Sequence, residues 1–296
     1  MTIREGFADI GDAKLHYYTA GDPAKPMLVF LHGFPEFGGM WRPTMERLAD
    51  RFFCVAPDQL GYNLSDKPDD VARYRTKRLV EDVRAFVKAF APRRTFTLVA
   101  HDWGGAVGWA FALKHPELLA GLAIVNAVHP AAFQREIARN PAQAKASQYM
   151  VDMQGPESDA AFAADDFARL RHSFRQLAMP AAELDTYRAA WAQPGAIRGM
   201  LNWYRAMRLV PPKVQDGVAV AAAPKAYDAA ALVVKVPTLV LWGLKDEALL
   251  PGCIEGLEQW VPQLTLKTFP EASHWLVHEE GERVADEIAA FAGAAT

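Results

Sequence analysis

Short apolar runs, largely β-branched and aromatic, recur between turn-forming residues at positions 28–31, 52–56, 96–100, 122–125 and 238–242, with a weaker run at 264–269. These runs are apolar throughout rather than alternating, so each predicts a strand buried on both faces. Helix-period stretches lie between them. In residues 76–90 the apolar Leu79, Val80, Val83, Phe86, Val87 and Phe90 fall on one side, the stripe of a helix packed against a sheet. The alternation predicts an α/β fold with a mostly parallel sheet flanked by helices. Near the start, residues 8–10 and 15–18 flank Gly11-Asp12, which predicts a hairpin.

The alternation stops near residue 130. Residues 130–210 are rich in Ala, Arg and Gln, with aromatics at helical spacing and breaks at Asn140-Pro141, Gly155-Pro156 and Pro194-Gly195. A helical insertion is expected here, and the Pro-rich and Ala-rich stretch 211–237 reads as the return to the sheet. The expected organisation is a core of residues 1–130 and 211–296 interrupted by an α-helical cap of residues 131–210.

Composition narrows the function without identifying it. The 296 residues include 32 Lys and Arg against 35 Asp and Glu, a net charge of −3, with no Lys/Arg cluster; nucleic-acid binding, which needs a basic field, is not expected. The substrate expected is small, neutral and apolar. Cys54 and Cys253 form neither a disulfide framework nor a metal-ligand spacing. The chain starts without an apolar leader and has no window approaching the roughly 18 apolar residues of a membrane span, so a cytoplasmic protein, monomer or homodimer, is expected.

One turn carries chemistry. In His101-Asp102-Trp103-Gly104-Gly105 a polar residue sits between strand and helix, with Ala100 and Gly104 two positions away on each side. Small neighbours suit a sharp, strained turn that holds its central side chain at a helix N-terminus. With Asp in the central place, attack at a saturated carbon gives an ester of the enzyme that an activated water must then hydrolyse. An Asp after a strand is by itself most often a helix cap; the partners decide. The loop His32-Gly33-Phe34-Pro35-Glu36 follows a predicted strand, and the Phe34 and Trp103 amides are the candidate oxyanion donors. Of eight histidines, six are accounted for by the hairpin, the two loops, a helix end and the cap, leaving His274 and His278. His274 follows the last strand, where sites gather in open α/β folds, and is the candidate base; His278, one turn on, is expected on a helix surface. The orienting acid is expected from the loop after residues 238–242, where Asp246 stands nearer the strand end than Glu247. Asn126 is a weaker position for it, and Glu36 is expected to brace its loop.

Taken together, His32-Gly-Phe-Pro-Glu36, the Ala56-to-Pro68 segment around Asp58-Gln-Leu-Gly-Tyr, His101-Asp-Trp-Gly-Gly105, Asn202-Trp-Tyr-Arg205 and Ala272-Ser-His-Trp275 resemble the epoxide hydrolases of the α/β-hydrolase fold, over nearly the whole chain and in the right order. The resemblance implies two cap tyrosines that hold the epoxide oxygen and protonate the departing alkoxide. Tyr204 matches one and Tyr149 the other; Tyr187 competes, but Asp185-Thr-Tyr-Arg reads as an exposed helix. It implies no cofactor and no metal. Trp41, Trp109 and Met153 are expected along the pocket. Leu60 stands where many relatives carry Arg. Haloalkane and fluoroacetate dehalogenases share the Asp nucleophile and remain the alternative, although Phe34 offers halide no polar side-chain atom and no Arg follows Asp102. A non-catalytic receptor on the same fold, which would ordinarily lack part of the Asp102, Asp246 and His274 set, is the remote one.

Overall fold

The computed structural model describes residues 2–90, 94–212, 214–215, 218–219 and 227–294. Its main sheet has eight strands: β1 (Arg4–Asp9), β2 (Lys14–Ala20), β3 (Met27–Leu31), β4 (Phe53–Pro57), β5 (Phe96–His101), β6 (Leu119–Val125) and, after a short ribbon of β7 (Val214–Gln215) and β8 (Val218–Ala219), β9 (Thr238–Gly243) and β10 (Leu264–Phe269). Their order is β1-β2-β4-β3-β5-β6-β9-β10. The β1–β2 hairpin turns at Gly11 and β2 joins β4 antiparallel; the remaining pairs are parallel. Strands β3, β4, β5 and β9 are buried along their whole length, which is why they read as unbroken apolar runs. β10 is an edge strand with most side chains exposed, and its sequence signal is correspondingly weak.

Helices α1 (Arg42–Leu48) and α11 (Gly281–Ala294) pack together on one side of the sheet, and α2 (Thr76–Phe90) and α3 (Asp102–Lys114) on the other. Between β6 and β9 come α4 (Pro130–Arg139), α5 (Pro141–Ala146), α6 (Tyr149–Asp152), α7 (Ser158–Ser173), α8 (Ala181–Trp191) and α9 (Ala196–Arg205); the short α10 (Leu276–Glu279) precedes α11. The expected helical stretch after residue 130 is therefore present. The Ala-rich residues 220–226 of the return segment lie outside the described residues. No helix among the described residues is long and apolar enough to cross a membrane.

Helix α9 is held against the loop after β4 at very short range. Gly61 has φ +92°, and a Cβ on Gly199 would lie 2.4 Å from the Gly61 carbonyl oxygen. The Trp203 indole donates to the Leu60 carbonyl at 2.9 Å, and the Leu60 side chain is buried, so this position serves as packing and as a backbone acceptor. Substituting Gly199→Ala gains about 1 kcal/mol of helix propensity, but the clash is with backbone that cannot rotate away and costs about 3 kcal/mol. A net loss of about 2 kcal/mol in urea unfolding is expected.

Candidate active site

Asp102 opens α3 directly after β5 with φ +50°, a left-handed conformation that a non-glycine residue adopts only when its surroundings over-determine it. Those surroundings are visible. A Cβ on Gly104 would lie 2.5 Å from the His32 carbonyl oxygen, and one on Gly33 would lie 2.2 Å from Asp102 Oδ1. Only hydrogen at both positions lets the β3 loop and the head of α3 meet. The Phe34–Pro35 peptide in that loop is cis, and the Phe34 amide donates to Asp102 Oδ1 at 2.7 Å. Trp103 N–H lies in the first turn of α3, where amides have no intrahelical acceptor. Of the two amides proposed from the sequence as an oxyanion pair, that of Phe34 thus binds the Asp102 carboxylate, and that of Trp103 belongs to the next residue along the chain.

His274 Nε2 is 3.6 Å from Asp102 Oδ2, and its Nδ1 lies 2.7 Å from Asp246 Oδ2. Asp246 is buried and fully satisfied. Its Oδ2 also accepts from Asn126 Nδ2 at 2.8 Å, and its Oδ1 accepts from the Ala248 and Leu249 amides, each at 2.8 Å. Asn126 returns the favour to the strand end by accepting from the Gly243 amide at 3.0 Å. It is a brace for the acid rather than a substitute for it. Burial by itself would depress the His274 imidazole, but the charges and hydrogen bonds of Asp246 and Asp102 outweigh it and hold the ring well above its ordinary range. Burial would raise Asp102, and the His274 hydrogen bond and charge, with the Phe34 amide, bring it below the usual carboxylate value. In the resting site the pair thus favours the carboxylate on Asp102 and the protonated ring on His274.

Tyr204, on α9, packs edge-on against Phe34 at 5.2 Å and Trp103 at 5.1 Å between ring centroids, and Tyr149, on α6, lies 6.2 Å from Tyr204. Burial lifts both hydroxyls well above the ordinary tyrosine value, and the Asp102 charge lifts them further. Both remain proton donors at neutral pH. Asp102 and Trp103 open onto a cavity of about 980 Å³ whose walls include Met150, Phe133 and Leu249. Neither tyrosine is among its walls; they meet the site through Phe34 and Trp103.

Three expected lining residues belong elsewhere. Trp41 is fully buried against Phe30, 5.2 Å between centroids. Trp109 is fully buried, donates its indole N–H to the Ala127 carbonyl at 3.1 Å and packs on His129. Met153 is buried off the cavity, and Met150, on the preceding turn, takes the lining position. Periodicity identifies large apolar residues as inward-facing but does not distinguish core from cavity.

Two further expectations are corrected around Glu36. His278 does not face the helix surface: its Nε2 lies 2.6 Å from Glu36 Oε1. Tyr187 is buried rather than exposed, and its hydroxyl lies 3.2 Å from the same oxygen. His101 Nδ1 approaches Glu36 Oε2 at 3.1 Å, and its Nε2 the His274 carbonyl at 2.9 Å. The Trp191 indole donates to the Pro35 carbonyl at 2.7 Å. Glu36 thus ties the loop after β3 to the His274 loop and to α8. No periodicity signal on α8 points to this, because the partner is a charge inside the protein. Among the described residues no group of three or more His, Cys, Asp or Glu side chains could hold a metal ion.

The comparisons with known proteins agree with this geometry. The alpha/beta hydrolase fold family matches residues 26–281. The AB hydrolase superfamily protein YfhM of Bacillus subtilis is 34% identical over 280 residues, 93% of this chain and 92% of that one. Epoxide hydrolase 1 of Caenorhabditis elegans is 33% identical over 94% of this chain and 67% of its own length. Among solved structures, the Bacillus megaterium epoxide hydrolase in complex with an inhibitor superposes with a TM-score of 0.86 at 31% identity, covering 97% of this chain and 99% of that one. The chain belongs to the α/β-hydrolase fold family and, within it, to the epoxide hydrolases.

The Glu36 cluster gives stability a pH signature. Burial would raise Glu36, but hydrogen bonds from His101 and His278 hold it below its ordinary 4.5. Its contribution is full above that value and is lost as pH falls below it. Burial would lower His278, yet the Glu36 hydrogen bond and charge raise it above 6.5, so its contribution is full below 6.5 and fades as pH rises through the folded value. Glu36→Gln is expected to cost about 3 kcal/mol at neutral pH. Urea unfolding between about pH 5 and pH 3 is expected to show a shallower loss of stability in Glu36→Gln than in the wild type.

Proposed function

We propose that this chain is an epoxide hydrolase that converts an epoxide with an apolar body to a vicinal diol through an ester on Asp102. The observation that carries the reading is a carboxylate, not a hydroxyl, at the strained turn, with Tyr204 packed on the flanking Phe34 and Trp103 and Tyr149 beside it. Relatives and solved neighbours bearing the name epoxide hydrolase support it. In this reading residues 131–210 act as a cap over a core formed by residues 1–130 and 211–296, and α6 and α9 supply the two tyrosines.

Asp102 Oδ1 is tethered to the Phe34 amide, which leaves Oδ2 to attack one epoxide carbon. As the carbon–oxygen bond breaks, the alkoxide takes a proton from Tyr149 or Tyr204, because an alkoxide leaves readily only when it is protonated as it forms. Esterification removes the Asp102 charge. One of the causes that raised His274 then disappears, and the imidazole releases its proton, which makes good the one the tyrosine gave up, and becomes a base. His274, oriented by Asp246, takes a proton from water; the water oxygen adds to the ester carbonyl, and the oxyanion is received by the Phe34 and Trp103 amides. On collapse the ester carbon–oxygen bond breaks, the departing diol oxygen takes the proton of the added hydroxyl, and Asp102 returns as the carboxylate. Every step uses side chains and amides of this chain and water, with no cofactor or metal.

Styrene oxide and a haloalkane, each incubated with wild type and His274→Gln, test the scheme. Diol is expected from the wild type only, and intact-protein mass spectrometry of His274→Gln is expected to show an adduct equal to the epoxide mass on Asp102. Halide release without diol formation overturns the reading. Tyr149→Phe/Tyr204→Phe is expected to slow adduct formation by at least about 100-fold; an unchanged rate removes the tyrosines from the mechanism.

A further inference from the structure

The two edges of the main sheet are unlike. β1 carries Arg4, Glu5 and Asp9, all exposed, and charges on an edge strand keep other chains from pairing with it. β10 reads Leu264-Thr-Leu-Lys-Thr-Phe269, with residues 265–268 exposed. Its single charge, Lys267, is paired with Glu287 of α11. It contains neither Pro nor Gly, and its register with β9 runs unbroken from Leu264↔Thr238 to Phe269↔Gly243, so no bulge turns it away. Leu266, at its middle, is one of the large apolar side chains exposed on the described surface.

The backbone fixes which residues of β10 are free to pair. The Gln263 carbonyl accepts from the Thr238 amide at 2.9 Å and the Phe269 carbonyl from the Leu244 amide at 3.0 Å, both on the β9 side. Main-chain groups alternate sides along a strand. Residues 263, 265, 267 and 269 therefore bond inward, and Leu264, Leu266 and Thr268 turn their N–H and C=O groups outward. Another strand is what meets such a row in kind. An antiparallel two-fold partner has to set outward residues opposite one another, and two such registers overlap along most of the strand, centred on Leu266 or on Lys267. The second opposes Lys267 to its own copy, which is unfavourable. The first opposes Leu266 to Leu266, Leu264 to Thr268 and Thr265 to Lys267, with an apolar pair at the centre and no like charges opposite each other.

We infer that β10 is the contact through which two copies of this chain associate, antiparallel about a two-fold axis at Leu266, joining their two sheets into one. The strand is complementary to itself. Each outward N–H meets an outward carbonyl of the second copy, and the two Leu266 side chains, exposed in the single chain, cover each other. One face of β10 is already taken: Lys267 reaches Glu287, and Arg283 stands 4.6 Å from the centre of the Phe269 ring. Helix α11 is therefore carried at the flank of the contact and does not block the edge. A pair of short strands is a small interface, so the association is reversible, with a Kd of about 10–100 μM.

Sedimentation equilibrium from about 1 μM to about 500 μM spans the strength of such an interface and tests it. A monomer–dimer equilibrium is expected for the wild type. Leu266→Lys sets like charges opposite each other, and Thr268→Pro removes one outward N–H at an edge position where Pro is tolerated; each is expected to weaken the dimer at least about tenfold, with circular dichroism matching the wild type. Cross-linking reads the register. Cys54 and Cys253 are buried, so an introduced thiol on β10 is the accessible one. Thr265 of one copy and Lys267 of the other form a non-hydrogen-bonded pair with Cα atoms about 4.5 Å apart, within disulfide reach. An oxidised mixture of Thr265→Cys and Lys267→Cys chains is expected to give a disulfide dimer containing one of each, and either variant alone is expected to stay uncrosslinked. A wild type that remains monomeric over the whole range overturns the contact, as does a dimer that neither Leu266→Lys nor Thr268→Pro weakens. Cross-linking of one variant with itself as readily as with the other overturns the register.

Discussion

The left-handed turn at Asp102 is the constraint on which the rest of the structure depends. A β-strand and an α-helix run in opposite directions across this one residue, and at φ +50° the chain reverses without spending further residues on a loop. The conformation is unfavourable for aspartate in isolation. It persists because the β3 loop and the head of α3 interlock through glycines at 33 and 104, and because the Phe34 amide binds the carboxylate itself. The same packing decides where α3 points, and with it the wall that Trp103, Ala106, Ala110 and Leu113 give the cavity.

Charge in the site is shared between two carboxylates. Asp102 and Asp246 together raise His274 in spite of burial, and Asp246 is pinned by Asn126 and two amides. Glu36 does comparable work behind the site. Two histidines and a tyrosine converge on it, so the loop after β3, the His274 loop and α8 share one buried anion. Removing a single partner from such a cluster leaves a charge without compensation, which costs more than the cluster contributes over an apolar packing.

The sequence by itself determined the elements and their order, and it pointed to Asp102, His274 and Asp246, which the fold brings together. These are local properties: unbroken apolar runs mark strands covered on both faces, small residues mark a tight turn, and the loops after successive parallel strands must gather at one sheet edge. Through resemblance to a family it also pointed to Tyr149 and Tyr204, which lie side by side. Only the tertiary structure decided which buried aromatics face the cavity, since Trp41, Trp109 and Met153 differ from Met150 in neighbours and not in hydrophobicity. It alone revealed Tyr187 and His278 as partners of Glu36, because an amphipathic pattern cannot register a polar face turned toward a buried charge.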